Sequence, residues 1–361
     1  MIDAVSFLII ILLSVGLSHV AFPYDYRNRL VWLVAPGIFL LFIVHPLALV
    51  FAFTCFVFSI GIFVAGCATD NRRLKARIPY LILLLLFLPD VLRFASDAPI
   101  LWLGSAFFIV RQMMTVAAGL KGAVLLKRFF PALLMATFSF ATLPSGPVFS
   151  GLQTWDQLRQ GAAPAYREGC YRTLEGFVYL FAIAGFINAA IRVIDALAAQ
   201  SPGLGGLTGT ILLQFLAGPL AGFGFLFATF YGYSRMAEGS ALLFGFEVPQ
   251  NFNKPHLASD LSDFWRRWHR SMADFVMQHI YLPLLVMTSQ AKLALIAAFV
   301  FMGLWHDFSI GFLVWGVGHG IGLAFVLPWA RRHHVNATVI RVASLASVLI
   351  LSSIAHGVWT K

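Results

Sequence analysis

The sequence predicts an all-α, polytopic transmembrane helical bundle of about 9 to 11 membrane segments, and three observations carry the prediction. Hydrophobic residues fill 60% of the 361 positions and charged residues only 11%, less than half of the ~25% usual in a soluble domain. Apolar windows such as 81–88 and 296–301 are uninterrupted, unlike the alternating segments of about 10 residues that build a membrane β-barrel. The basic residues fall in short clusters between apolar spans: Arg27/Arg29, Arg72/Arg73/Lys75/Arg77, Lys121/Lys127/Arg128 and Arg331/Arg332. That is the pattern of the positive-inside rule. The net charge of +10 therefore speaks for loop topology and membrane lipids with anionic headgroups, and against nucleic acid.

The elements follow in order. Residues 5–22 read as a retained first helix, since no basic n-region and no clear cleavage site accompany it, with its N-terminus outside because Arg27 and Arg29 follow. Helices at 30–44 and 47–66 turn at His45-Pro46. Segment 78–92 is interrupted by Pro89-Asp90. Segment 100–118 contains Arg111, an intramembrane charge that faces protein or water and reads as a structural partner before a substrate contact. Segment 129–143 is too short to span upright and ends in Pro144-Ser145-Gly146-Pro147, which predicts a re-entrant or cavity-lining break. Residues 153–172 form a loop or short surface helix. Helices at 174–194 and 207–231 flank a glycine-rich turn at 201–206, and 232–246 is a shorter segment carrying Arg235 and Glu238. The last spans lie at 291–305, 308–327 and 339–358. The expected organisation is one integral membrane domain over 1–361. Within it, 1–130 form N-terminal helices, 140–325 a core, and 339–358 the last helix.

Cys55, Cys67 and Cys170 show no CxxC or ligand spacing, so neither a metal site nor a disulfide framework is expected. No GxSxG elbow, HExxH, Walker lysine loop or transmembrane carboxylate pair is present. Any catalysis is left to histidine.

The polar chemistry concentrates between Asn251 and His319. Taken as a helix, 259–275 puts Trp265, Trp268, His269, Met272 and Val276 on one side and Asp263, Arg266, Arg267, Arg270 and Asp274 on another. This is an amphipathic interfacial helix with a basic face, and His269 lies on its inward side. His306 closes the next apolar span, and Asp307 begins the turn out of it. A neutral imidazole at such a helix end, facing a desolvated pocket, is able to act as a general base. His319 shares a face with Phe312 and Trp315 and reads as a packing or hydrogen-bonding residue. On these residues alone, both His269 and His306 read as packed core histidines before they read as a site. A multi-pass transporter or channel lined by Arg111, Glu238 and the histidines is the alternative class, although no inverted repeat is apparent.

Three elements in order, Asn251-Phe252-Asn253-Lys254-Pro255, Phe264-Trp265-Arg266-Arg267-Trp268-His269 and Gly303-Leu304-Trp305-His306, are followed by Trp315-Gly316 and His319-Gly320. Together they resemble the membrane-bound O-acyltransferase family, in the bacterial branch of alginate O-acetylation and teichoic-acid D-alanylation. Ser145-Gly146-Pro147-Val148 and 232–239 match two further family segments. The resemblance covers roughly 140–325. It implies His306 as the active-site histidine and His269 as the second histidine of the site, near the membrane midplane on a tunnel joining both faces. It also implies Trp265, Arg266, Trp268, Trp305, Asn251 and His319 around the substrates. The donor would be a cytoplasmic thioester (acyl-CoA or acyl carrier protein), with no further cofactor. The acceptor would be a hydroxyl of an extracytoplasmic polymer or of an SGNH-type partner protein, across a bacterial inner membrane. Two positions depart from the family pattern: Asp307 where glycine is frequent, and Thr229 where an acidic residue is frequent.

Overall fold

The computed structural model describes residues 25–44, 46–86, 88, 105–143, 145–161, 163–199 and 218–355. Every regular element among them is helical. The expected span at 5–22, His45, the Pro89-Asp90 interruption and the turn at 201–206 lie outside the described residues. The chain divides into two compact units. One is built from residues up to Gly176 together with Tyr233–Pro249, the other from Phe177–Gly232 together with Gln250 onward.

The first unit contains α1 (Tyr26–Val44), α2 (Pro46–Cys67), α3 (Arg72–Arg77), a 3₁₀ segment (Ile78–Leu86), α4 (Ser105–Lys121), α5 (Leu126–Phe138), α6 (Gly151–Arg159) and α7 (Tyr166–Phe177). Helix α2 buries Phe51, Cys55, Phe56 and Phe63 yet exposes Leu47, Val50, Phe53 and Val57. A helix that is apolar all round suits lipid on its outer side. Arg29 was expected among the solvated topological charges, but it is buried, and its Nη1 donates to the Phe244 carbonyl at 3.4 Å.

The expected break after α5 is present. The chain leaves the helix at Ser139, makes one 3₁₀ turn (Phe140–Thr142) and runs irregular and buried through 146–149. Arg111 takes up the carbonyls that the break releases. Its Nε donates to Pro147 O (3.0 Å), its Nη1 to Thr142 Oγ1 (3.0 Å), and its Nη2 to the carbonyls of Thr142 (2.7 Å) and Gly146 (3.2 Å). Irregular backbone away from water persists only with such internal partners. Arg111 is thus a structural residue of this unit, as the sequence suggested.

The separate short segment expected at 232–246 is not formed. It is the second half of a continuous helix, Gly218–Leu243. No proline falls between Pro219 and Pro249, and a mid-helix glycine such as Gly232 costs only about 1 kcal/mol. The helix stops two residues before Gly245, which adopts φ 83°. In the first unit its Arg235 bridges Glu175 (2.5 Å) and Glu238 (2.8 Å), and Arg172 pairs with Glu168 (2.6 Å). Arg172 also lies 3.6 Å from Glu238, so these arginines and glutamates pair with one another.

The second unit continues with α8 (Ala184–Ala199) and α9 (Gly218–Leu243, its part up to Gly232). Then come α10 (Leu261–Arg267), α11 (Arg270–Val276), α12 (Leu282–Thr288), α13 (Ala291–His306), α14 (Ile310–Ile321), α15 (Leu327–Arg332) and α16 (Ala337–Ala355). One-turn π segments join α11 to α12 and α14 to α15. Among the described residues five helical stretches are long and apolar enough to cross a bilayer: Tyr26–Ile43, Pro46–Cys67, Tyr166–Val193, Ile310–Arg332 and Ala337–Ala355. The protein is a multi-pass membrane protein.

Candidate active site

The amphipathic helix expected over 259–275 is two helices, α10 and α11, broken at Trp268-His269. Trp268 is extended (φ −100°, ψ 130°) and His269 is left-handed (φ 44°, ψ 51°). A non-glycine residue held there costs of order 1–3 kcal/mol and persists only when its surroundings impose it. The segment from Asn251 to Asn253 imposes it. The Arg270 N–H donates to Asn251 O at 2.9 Å, and the Asn253 N–H donates to Arg267 O at 2.9 Å. The Ser271 hydroxyl donates to Asn251 Oδ1 at 2.6 Å. The backbone groups freed by the break are therefore taken up by the asparagine segment. Helical periodicity could not reveal this, because the competing partners lie some twenty residues upstream.

The inward face survives the break. Trp265, Trp268, His269, Met272 and Val276 are all buried, because each short helix keeps its own apolar side. Arg266 points outward, with its side chain 69% exposed and Asp263 at 3.6 Å. The structure does not bring it to the other candidates. Asn251 is buried and shapes the backbone behind the site. Asp260 caps α10, accepting the Asp263 N–H at 2.9 Å, and pairs with Arg331 at 2.5 Å.

Helices α13 and α14 place the second histidine. A Cβ on Gly303 would lie 2.3 Å from Phe312 O, and one on Gly316 would lie 2.6 Å from Phe299 O. The two helices approach closely because these positions carry no side chain. The Ser309 N–H donates to Asp307 O (2.9 Å), and the Ser309 hydroxyl caps the Phe312 N–H (3.4 Å). Asp307 has φ −165°, extended backbone open to any residue, so this turn does not require the family's usual glycine. At the other departure, the Thr229 hydroxyl folds back onto its own helix, donating to Phe225 O (2.8 Å).

His306 is the last residue of α13. Its ring stacks on Phe312 (5.4 Å, 23°) and meets Trp315 edge-on (5.9 Å). Trp305 neighbours both histidines, its ring centroid 4.7 Å from His306 and 5.9 Å from His269. His269 also meets Phe230 edge-on at 4.7 Å. Burial, and after it the nearby His306, holds the His269 imidazole well below its ordinary range. His306 is exposed on the protein surface where its helix ends, and His269 is buried.

His306 opens on a cavity of about 80 Å³ whose other walls include Trp265, Trp268, Phe312 and Trp315. His319 lies behind these walls. It is fully buried, 5.0 Å from Trp265 and 4.8 Å from Trp315, and neither of its ring nitrogens finds a hydrogen-bond partner among the described residues. Sequence reasoning missed Phe223, Leu226 and Phe230 of α9 and Val348 and Ser352 of α16, which complete the cavity. They sit in featureless apolar helices, and no local signal marks them.

The site's elements coincide with a family match. The model of the MBOAT, membrane-bound O-acyltransferase family, matches residues 210–345. The probable alginate O-acetylase AlgI of Pseudomonas aeruginosa is 34% identical over 190 residues, covering 51% of this chain and 35% of that protein. A teichoic acid D-alanyltransferase of Streptococcus thermophilus is 30% identical over 168 residues, covering 44% of this chain and 39% of that protein. A peptidoglycan O-acetyltransferase of Helicobacter pylori is 39% identical over 102 residues, covering 27% and 19% respectively. The chain thus matches well under half the length of each of these relatives. Over residues 210–345, which carry both candidate histidines, the chain is similar to the membrane-bound O-acyltransferase family.

Proposed function

We propose that the protein is an O-acyltransferase of a bacterial inner membrane. It moves a short acyl group, acetyl or D-alanyl, from a cytoplasmic thioester to a hydroxyl of an extracytoplasmic cell-envelope polymer or partner protein. The observation that carries the reading is His306 on an aromatic-walled cavity, with a second, buried histidine against the same Trp305.

The chemistry follows from that arrangement. The His306 imidazole accepts the proton of the acceptor hydroxyl as its oxygen attacks the acyl carbonyl carbon. The carbon–sulfur bond breaks, and the departing thiolate takes the proton back from His306. The C-terminus of α13 is the negative end of a helix dipole, which favours the transient positive charge on that ring. His269, buried and held neutral, is suited to orient the donor or to donate a hydrogen bond to the carbonyl oxygen as charge develops. Trp305 fixes the two rings relative to each other, and Trp265, Trp268 and Trp315 exclude water from the acyl group. The thioester is itself the activated donor, so the reaction calls for no cofactor. The acceptor polymer or an extracytoplasmic SGNH-type partner would meet the site from the outer side, with an acyl-CoA or acyl carrier protein on the inner.

The test is to supply membranes containing the protein with a ¹³C-acyl thioester and to analyse the envelope polymer by mass spectrometry. Base-labile ¹³C ester on the polymer is the expected result. Label that crosses the membrane without becoming esterified would replace this reading with transport.

A further inference from the structure

Phe223, Phe264 and Val348 line the His306 cavity of about 80 Å³, and the same three side chains line a second cavity of about 290 Å³. The larger space is bounded also by Leu220, Gly224 and Leu349. These three side chains form an apolar wall common to the His306 cavity and this roomier apolar volume.

We propose that this wall is a partition that sets the length of the acyl group. The small cavity seats a group of acetyl size, and Phe223 with Val348 denies longer groups the space beyond. The proposal rests on the transfer reading above. Volume decides it. A dry apolar cavity of about 150 Å³ holds a benzene ring. A cavity near half that size holds about half as many heavy atoms, which suffices for acetyl. Butyryl and D-alanyl exceed acetyl by the same number of heavy atoms, so both are excluded by size although only one carries a charge.

The partition is open to mutation from both sides. Phe223→Ala removes the ring between the two spaces, and Val348→Ala opens them more gently. Gly224 lines only the larger cavity, and a Cβ placed there meets nothing nearer than Ile187 Cδ1 at 3.6 Å. Gly224→Leu therefore fills the larger space without touching the smaller.

The experiment uses purified full-length protein in detergent micelles, with His306→Ala as the blank. Acetyl, propionyl, butyryl and D-alanyl thioesters are presented both on coenzyme A and on acyl carrier protein, with a polysaccharide hydroxyl acceptor. Release of thiol and formation of ester are followed together. The wild type should prefer acetyl over butyryl and over D-alanyl by at least about tenfold, the scale of one methylene in a tight pocket. Phe223→Ala should raise the butyryl-to-acetyl ratio by about tenfold or more, and Val348→Ala should raise it by a smaller factor. Adding Gly224→Leu to Phe223→Ala should reverse the gain. Wild-type turnover of butyryl as fast as acetyl, or an unchanged ratio in both wall variants, overturns the partition and leaves acyl transfer standing. A wild type that selects D-alanyl over acetyl overturns it equally. No His306-dependent thiol release from any donor contradicts the transfer reading itself.

Discussion

The Asn251 carbonyl accepts the Arg270 N–H at 2.9 Å, immediately after the left-handed His269. This bond joins the start of the polar stretch to the one residue whose backbone strain aims a histidine inward. The Asn251 side chain also accepts the Ser271 hydroxyl at 2.6 Å, so one buried residue supports the break twice, through its backbone carbonyl and through its side chain.

Asn251→Ala should destabilise the protein by about 1–3 kcal/mol, the range for stranding a buried polar partner, and should lower transfer together with stability. Ser271→Ala should cost less. Thermal unfolding of the two single variants and the double variant gives the coupling between them, and purely additive effects would show that the two side chains do not act together.

His269 is predicted to matter through its ring. His269→Ala should reduce turnover by about 10²–10³-fold, as for removal of one donor to a developing oxyanion, with a smaller effect on donor KM. His269→Gly relieves the left-handed backbone and should recover stability relative to His269→Ala without recovering turnover. Restored turnover in the glycine variant would reduce His269 to a backbone role.

The helix junction gives a steric prediction. Gly316→Val must displace the α13 backbone, since even a Cβ would lie 2.6 Å from Phe299 O. Overpacking of this kind costs about 1–3 kcal/mol. It also shifts His306 against Phe312, so activity should fall further than stability explains. Comparing the turnover of the folded fraction with that of the wild type separates the two effects.

The Asp260–Arg331 pair makes stability depend on acid. Burial alone would raise the Asp260 carboxyl, but the Asp263 N–H and the Arg331 guanidinium outweigh it and hold the group below its ordinary value. The stabilisation is therefore complete above about pH 4, the unfolded carboxylate value, and is lost as pH falls through the lower folded value. Asp260→Asn keeps the helix cap and removes the charge, so it should lower Tm near neutrality and flatten its fall in acid. An identical acid limb in the variant assigns the pH dependence to other carboxylates.

His319 is predicted to be dispensable for folding. Its ring is wholly buried with no hydrogen-bond partner among the described residues, a situation that disfavours the folded state. His319→Phe should hold or raise Tm. A marked drop would show that the ring nitrogens are satisfied by something the protein carries in the membrane.

Much of this architecture was legible in the sequence because the bilayer imposes a length and an apolar composition that single stretches display. The spans at 30–44, 47–66, 291–305 and 339–358 agree with α1, α2, α13 and α16 to within a few residues. The proline pair after α5 announced the break that Arg111 supports. Other features depend on contacts distant in sequence. The split at His269 follows from Asn251 and Asn253, and the exposure of His306 from where α13 happens to end. The cavity walls supplied by Phe223 and Val348 come from helices whose patterns say only that they are apolar. The histidines themselves were visible as polar interruptions, but their proximity through Trp305 was not.

In the proposed reaction His306 carries the proton transfer. The most direct measurement of that role is base-labile acyl ester on the envelope polymer of cells in which the protein is replaced by His306→Ala, with membrane insertion and Tm measured alongside. The expected result is a correctly inserted, folded protein and no ester above the background of cells lacking it. Ester at the wild-type level in that strain would contradict that role.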